Sequence, residues 1–186
     1  GGADRGKVDA MQALAQSPRM RTVYLNGQFV PESEAKVSVF DRGFLFADAV
    51  YEVVSVIDAK LIDFEGHVVR LHRSMAELKM PHPPTREALL SMCRELVARN
   101  DLVEGMIYFE VTRGNPGDRD FLFPAGDLQP TIVGFTQKAS LVDRPQAESG
   151  LSVVTLPDRR WQMAHVKTTQ LLYASLMKAE AKAQGA

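Results

Sequence analysis

The 186-residue chain is 45% hydrophobic and 24% charged, with acids and bases interspersed to a net charge of −1. That balance argues against a nucleic-acid or anionic-membrane partner, and no apolar run approaches the ~20 residues of a membrane-spanning helix. Cys93 is the single cysteine, so no internal disulfide forms; inside an amphipathic segment it reads as a buried structural thiol, in keeping with a reducing, cytoplasmic compartment.

Residues 1–20 read as a tag or disordered extension: Gly1 to Gly6 resembles an added sequence, and the segment lacks the apolar core of a signal peptide. Met11 and Met20 are candidate native starts. Thr22–Leu25 and Gln28–Val30 are strand-like runs around Asn26-Gly27, a type I′ hairpin signal. Val37–Phe40 adds an extended piece. Ala49–Ile57, nearly apolar on both faces, reads as an interior strand that turns at Asp58-Ala59 into Leu61–Phe64, giving an antiparallel meander.

Two helices follow. Val68, Leu71, Met75 and Leu78 recur at helical spacing between Gly66 and Pro81. The second helix opens at Thr85 after Pro83-Pro84, carries Leu89, Cys93, Leu96 and Val97 on one face, and ends near Asn100. Met106–Thr112 alternates, with Ile107, Phe109 and Val111 on one side and Tyr108, Glu110 and Thr112 on the other. Arg113–Gly126 is a long loop rich in Gly, Pro and Asp, a length often tied to function.

Thr131–Thr136 is a further strand, and Gln137–Gly150 a polar linker containing Pro145. Leu151–Leu156 reads as a strand and Pro157–Val166 as irregular. The helix after Lys167 is expected to bury Leu171, Leu172, Ser175, Leu176 and Ala179. The pattern predicts an α+β chain with a small mixed domain over 21–136, a linker over 137–150 and the start of a second domain over 151–186. One strand and one helix are too little to close that second core.

Lys167 is the most informative single residue. It stands before a helical stretch, where the positive end of the macrodipole opposes a cation. That field, with Trp161, Val166 and Leu171 nearby, would favour the neutral amine that traps a carbonyl. On spacing alone the ordinary reading is a solvated lysine. His67, His72, His82 and His165 have no metal-ligand spacing, and no Walker loop, dinucleotide fingerprint or nucleophile elbow occurs. Asp41-Arg42-Gly43 reads either as catalytic or as a turn with a local ion pair. Tyr51 sits mid-strand in an apolar context, where a buried phenol needs a hydrogen-bond partner and the ordinary reading is a core tyrosine touching the surface; Tyr108 projects from the polar face of its strand, where it could line a cavity. Arg70, or equally Arg73, could bind phosphate. Arg113 and Arg119 bracket the loop, where they clamp a carboxylate or simply solvate it.

Four ordered blocks then carry a resemblance: Val37-Ser-Val-Phe-Asp-Arg-Gly-Phe-Leu-Phe-Ala-Asp-Ala-Val-Tyr-Glu-Val53, His67-Val-Val-Arg-Leu71, Ile107-Tyr-Phe-Glu-Val-Thr-Arg-Gly114, and Arg160-Trp through Lys167. From Tyr24 onward the chain resembles the class IV, fold-type IV pyridoxal-phosphate aminotransferases, with most likeness to those acting on D-amino acids. The resemblance implies a two-domain fold and pyridoxal 5′-phosphate as cofactor, in Schiff-base linkage to Lys167, which also shuttles the substrate proton. It implies Arg70 on the cofactor phosphate, Tyr51 beside cofactor and substrate, and Val53, Tyr108 and Arg119 around the substrate. It further implies amino-acid and 2-oxo-acid substrates and a homodimer.

Two features depart from D-selective members. Where their loop carries Arg-x-His, Arg119 fits the arginine but Asp120 and Phe121 stand where the histidine falls; and Ser55 replaces a lysine. Branched-chain (L-selective) aminotransferases, (R)-amine transaminases and aminodeoxychorismate lyases share the scaffold and remain alternatives. Because the family draws further cofactor contacts from segments downstream of the lysine helix, the sequence also raises the expectation of a truncated, catalytically incompetent fragment.

Overall fold

In a computed structural model, residues 20–186 are described; the expected N-terminal extension lies, apart from Met20, outside the described residues. Strands β1 (Thr22–Leu25) and β2 (Gln28–Pro31) form the expected hairpin, with Asn26 and Gly27 both at positive φ, 48° and 91°, as a type I′ turn requires. A short helix α1 (Arg42–Phe46) follows, capped by Asp41, whose side chain accepts from the Gly43 N–H at 2.8 Å. Val37–Phe40 forms no strand and ends in a turn that closes on Asp41 through its N–H to the Ser38 carbonyl.

Next come β3 (Ala49–Ile57), β4 (Lys60–Leu61), α2 (Phe64–Glu77), α3 (Arg86–Arg99), β5 (Gly105–Thr112) and β6 (Ile132–Lys138). The strands make one antiparallel sheet in the order β2-β1-β6-β5-β3-β4. Gly66 lies inside α2 rather than ahead of it, since the helix starts two residues earlier at Phe64. Thr85 caps α3 as expected, its hydroxyl accepting from the Ala88 N–H at 3.2 Å.

Helices α2 and α3 cover one face of the sheet. Val50, Val54 and Val56 of β3 and Ile107, Phe109 and Val111 of β5 meet Val68, Leu71, Met75, Leu89, Cys93 and Leu96 there. Burial pushes the Cys93 thiol up to about 12, which suits an inert core group. Gly134 brings α3 close to β6: a Cβ there would stand 3.2 Å from Leu96 Cδ1 and Met92 Sδ. The opposite face carries Tyr51, Val53, Ser55, Met106, Tyr108, Glu110, Val133 and Phe135, all half-buried.

After β6, helix α4 (Pro145–Ser149) interrupts the polar stretch, and α5 (Leu172–Ala183) ends the chain. Two expectations fail here. Leu151–Leu156 forms no strand, because the described residues offer it no ladder partner and strand propensity alone does not satisfy a backbone. The predicted buried stripe of α5 is also wrong: Leu172 is 76% and Leu176 54% exposed. Tyr173, Met177 and Ala181, four residues apart, turn inward instead, lining a cleft of about 450 Å³ with Val154, Leu156 and Pro157. Among the described residues no helix is long and apolar enough to cross a membrane.

Candidate active site

The segment before α5 extends the sheet past the end of β4. Thr168 makes an isolated antiparallel bridge with Val50; Tyr51 N–H donates to the Lys167 carbonyl at 3.1 Å and Thr169 N–H to the Ala49 carbonyl at 3.2 Å. This short extended run alternates as a strand does. Val166 and Thr168 are buried, so the Lys167 side chain between them projects to the other side, where its Nζ lies 3.9 Å from the centre of the Tyr51 ring. Helix α5 begins only at Leu172, five residues on. Lys167 is therefore not a helix N-terminal residue, and the macrodipole argument made from the sequence does not hold. Its position comes from β3 instead.

Lys167, Tyr51 and Arg70 line one cleft of about 780 Å³, together with Trp161, His165 and Thr169. Arg73, the alternative to Arg70, is exposed on α2 and does not line it.

What orients Arg70 escaped the sequence reading. Glu52 shares the buried face of β3 with Val50 and Val54, fully shielded from solvent. Arg70 donates to it twice, Nε to Oε1 at 2.7 Å and Nη2 to Oε2 at 2.6 Å, and His67 Nδ1 meets Oε2 at 2.7 Å. Residues 67 and 70 sit one helical turn apart on α2, so both reach the same carboxylate. This fork leaves Arg70 Nη1 without a protein partner among the described residues. Burial pushes the Glu52 carboxyl up, but the hydrogen bonds and charges of Arg70 and His67 outweigh it and hold the group below the usual glutamate range. The signal was present in the sequence: a lone acid on the apolar face of a strand needs a cation.

The sign of that shift gives a pH prediction. A carboxyl whose folded pKa is depressed contributes stability above its unfolded pKa of ~4.3 and loses it as pH falls through the lower folded value. In thermal unfolding, the stability gap between wild type and Glu52→Gln is expected to be full near neutrality and to shrink only below about pH 4. A gap that is flat across the acid range would rule this out.

The remaining sequence candidates divide. Val53 stands directly opposite Tyr108 on the open sheet face. The Tyr108 ring stacks between Tyr51 at 5.4 Å and Phe135 at 4.9 Å, and its hydroxyl donates to Glu110 Oε2 at 2.7 Å. Arg119 is exposed, its guanidinium over Phe121 at 4.7 Å and Phe46 at 5.2 Å, and it does not line the cleft. Arg113 is neither a clamp nor a solvating loop residue. It is buried, donates to Asp48 through Nε at 2.7 Å and Nη2 at 3.0 Å, and reaches the carbonyls of Leu78 and Lys79. The ion pair expected around Asp41-Arg42 exists, but Arg42 pairs with Asp48, at 2.7 Å, rather than with Asp41. His72 bonds the Pro84 carbonyl and His82 pairs with Asp127. Among the described residues no three His, Cys, Asp or Glu side chains group as a metal site.

Comparison with known proteins places the chain in a family. Residues 49–186 match the family model of amino-transferase class IV. A D-alanine aminotransferase of Staphylococcus aureus is 38% identical over 161 residues, which is 86% of this chain and 56% of the relative. One from Bacillus licheniformis is 33% identical over 160 residues, again 86% and 56%. The chain thus spans a little over half the length of the curated relatives it matches. Among solved structures, a branched-chain amino acid aminotransferase from Escherichia coli superposes with a TM-score of 0.73 at 20% identity, covering 90% of this chain and 56% of that one. A 4-amino-4-deoxychorismate lyase from Pseudomonas aeruginosa gives 0.59 at 24% identity over 85% and 56%. At such identities these two speak for the fold alone.

Proposed function

The chain belongs to the class IV aminotransferases, and from that premise we propose that it transfers an amino group between a D-amino acid such as D-alanine and a 2-oxo acid, with pyridoxal 5′-phosphate held at Lys167. The observation that carries this reading is the convergence of Lys167, Arg70 and Tyr51 on one cleft. The three side chains fit such a group chemically: an amine to bond its aldehyde, a guanidinium with Nη1 available for its phosphate, and an aromatic wall beside its ring. When bound, the cofactor supplies the electron sink that makes the substrate Cα–H acidic.

The protein's own residues do the rest. Lys167, set between two buried neighbours against β3, carries the proton at the reacting carbon. Arg70, locked by Glu52, anchors the phosphate end. Val53 and Tyr108 line the substrate side of the open face, and Arg119 approaches from the loop. The preference for D-substrates draws its support from the D-alanine aminotransferases at 33–38% identity.

One observation favours a second reading. Arg119 is stacked away from the cleft on Phe46 and Phe121, which leaves a D-selective carboxylate trap unassembled and keeps L-branched-chain or (R)-amine substrates in play. A homodimer belongs to the same proposal, since Phe44, Phe121, Leu122 and Phe123 leave a broad apolar surface exposed. So does a second domain begun by residues 151–186.

Initial rates separate the readings. D-alanine with 2-oxoglutarate is expected to turn over, while L-valine, (R)-1-phenylethylamine and aminodeoxychorismate are not. Faster turnover of any of those three would displace D-alanine as the substrate. No turnover of D-alanine by the 186-residue chain would leave it an incompetent scaffold.

A further inference from the structure

Among the described residues, the sheet face turned away from α2 and α3 holds one carboxylate with no cation paired to it. Glu110 is half-buried on β5, opposite Tyr51 of β3 and Val133 of β6. Its one hydrogen-bond partner among the described residues is the Tyr108 hydroxyl, at 2.7 Å. Glu52, on the other face of the same sheet, has both an arginine and a histidine. Among the described residues, the titratable groups that act on Glu110 are Tyr108 on its own strand and Asp41 from the cap of α1; Tyr51 of β3 and Val133 of β6 stand opposite it, and the Arg21 guanidinium lies over the Phe135 ring that stacks on Tyr108. Lys167 lies beyond Tyr51, over that ring. Burial pushes the Glu110 carboxyl up, the Tyr108 hydrogen bond pulls it down and the Asp41 charge pushes it up again, so it sits above the usual range.

The Tyr108 ring is pinned between two aromatic neighbours. A phenol has one proton to donate, and here it points at Glu110.

We propose that Glu110 is a specificity-determining residue: by holding the Tyr108 proton and by its own charge, it sets how strongly this face receives a substrate carboxylate. The proposal rests on the transaminase reading of the cleft. While Glu110 is ionised, an incoming monocarboxylate meets a like charge and a tyrosine whose proton is committed. Once Glu110 is protonated, the carboxyl itself donates to the Tyr108 oxygen and the phenol proton turns to the substrate. A glutamine does the same at every pH, through its amide N–H.

The test is the affinity of pyruvate, measured calorimetrically across about pH 5 to 8 on the full chain after pyridoxal-phosphate loading and borohydride reduction, which prevents turnover. Glu110→Gln is nearly isosteric and removes an ill-paired charge, so it is expected to fold. It should bind pyruvate about tenfold more tightly than wild type at the alkaline end and show no pH slope. Wild type should approach it as pH falls, and in a Tyr108→Phe background the difference should shrink to the part that the Glu110 charge alone contributes. Equal affinities, parallel pH slopes, or no pyruvate binding by either protein would overturn the proposal. A cofactor adduct at Lys167, read by mass on the same samples, is independent of these outcomes. Its absence beside an intact Glu110 effect would remove the transaminase reading and leave the carboxylate recognition standing.

Discussion

Lys167→Ala is expected to abolish the borohydride-fixed cofactor on this chain, while Lys178→Ala, on the exposed side of α5, retains it. Intact mass followed by peptide mapping reads both. Any free lysine amine bonds an aldehyde transiently, so what singles out Lys167 must be its surroundings. Among the described lysines only Lys167 lines the cleft shared by Arg70 and Tyr51. Its backbone is fixed by the Val50 bridge and the bond from Tyr51, and its amine lies against an aromatic ring. On the proposed reading, phosphate capture at Arg70 would raise the local concentration of the aldehyde at that amine. Where turnover is measured, loss of the lysine should cost about 10²–10⁴-fold from proton transfer alone. An adduct that persists in Lys167→Ala, or that spreads evenly over surface lysines, defeats the assignment. Arg70→Ala then separates anchoring from bonding: it should weaken capture of pyridoxal phosphate while leaving capture of unphosphorylated pyridoxal unchanged.

What the sequence made legible follows the strength of each local signal. Asn26-Gly27 marked the hairpin because a type I′ turn demands two positive φ angles, and few other pairs supply them. Thr85 behind two prolines fixed the start of α3 to the residue. The alternation of β5 correctly separated Tyr108 and Glu110 from the core. Lys167, Tyr51 and Arg70 were legible only through ordered motifs, since nothing in their spacing brings positions 51, 70 and 167 together. That takes the sheet, α2 and the bridge to Val50.

The failures have a common cause. Leu151–Leu156 and the apolar stripe of α5 carry correct local patterns, but a strand and a helix face are defined by what packs on them; the described residues give the first no ladder partner and leave Leu172 and Leu176 of the second exposed. The misreading of Arg113 is of a different kind. An arginine next to a glycine at the start of a polar loop gives no hint of burial. Its counterion, Asp48, lies 65 residues earlier in the sequence, where it looks like an ordinary turn residue.

That counterion carries the largest stability prediction: Asp48→Asn is expected to cost about 3–5 kcal/mol, the range for removing one partner of a buried ion pair. Thermal unfolding would show it as a fall of roughly 2–4 °C per kcal/mol. Asp48 Oδ2 accepts from Arg42 Nε and Arg113 Nε, both at 2.7 Å, and all three side chains are less than 10% exposed. Two guanidinium groups thus share one carboxylate. An asparagine would leave both cations uncompensated and turn an N–H toward one of them. The carbonyls of Leu78, Lys79, Asp120 and Leu122 soften this, because each accepts from a guanidinium and carries partial negative charge. They are dipoles, however, and do not replace an ion. The arrangement also dictates an order. Arg113→Leu leaves the Arg42–Asp48 pair intact and balanced, so it should destabilise less than Asp48→Asn even though it deletes more atoms and more hydrogen bonds. If Arg113→Leu proves the costlier change, packing under the long loop rather than charge balance holds this corner together. The distinction reaches the long loop, because Arg42 holds its backbone at Asp120. A corner held by charge would loosen that loop in Asp48→Asn, read as faster amide hydrogen exchange around Asp120; a corner held by packing would not.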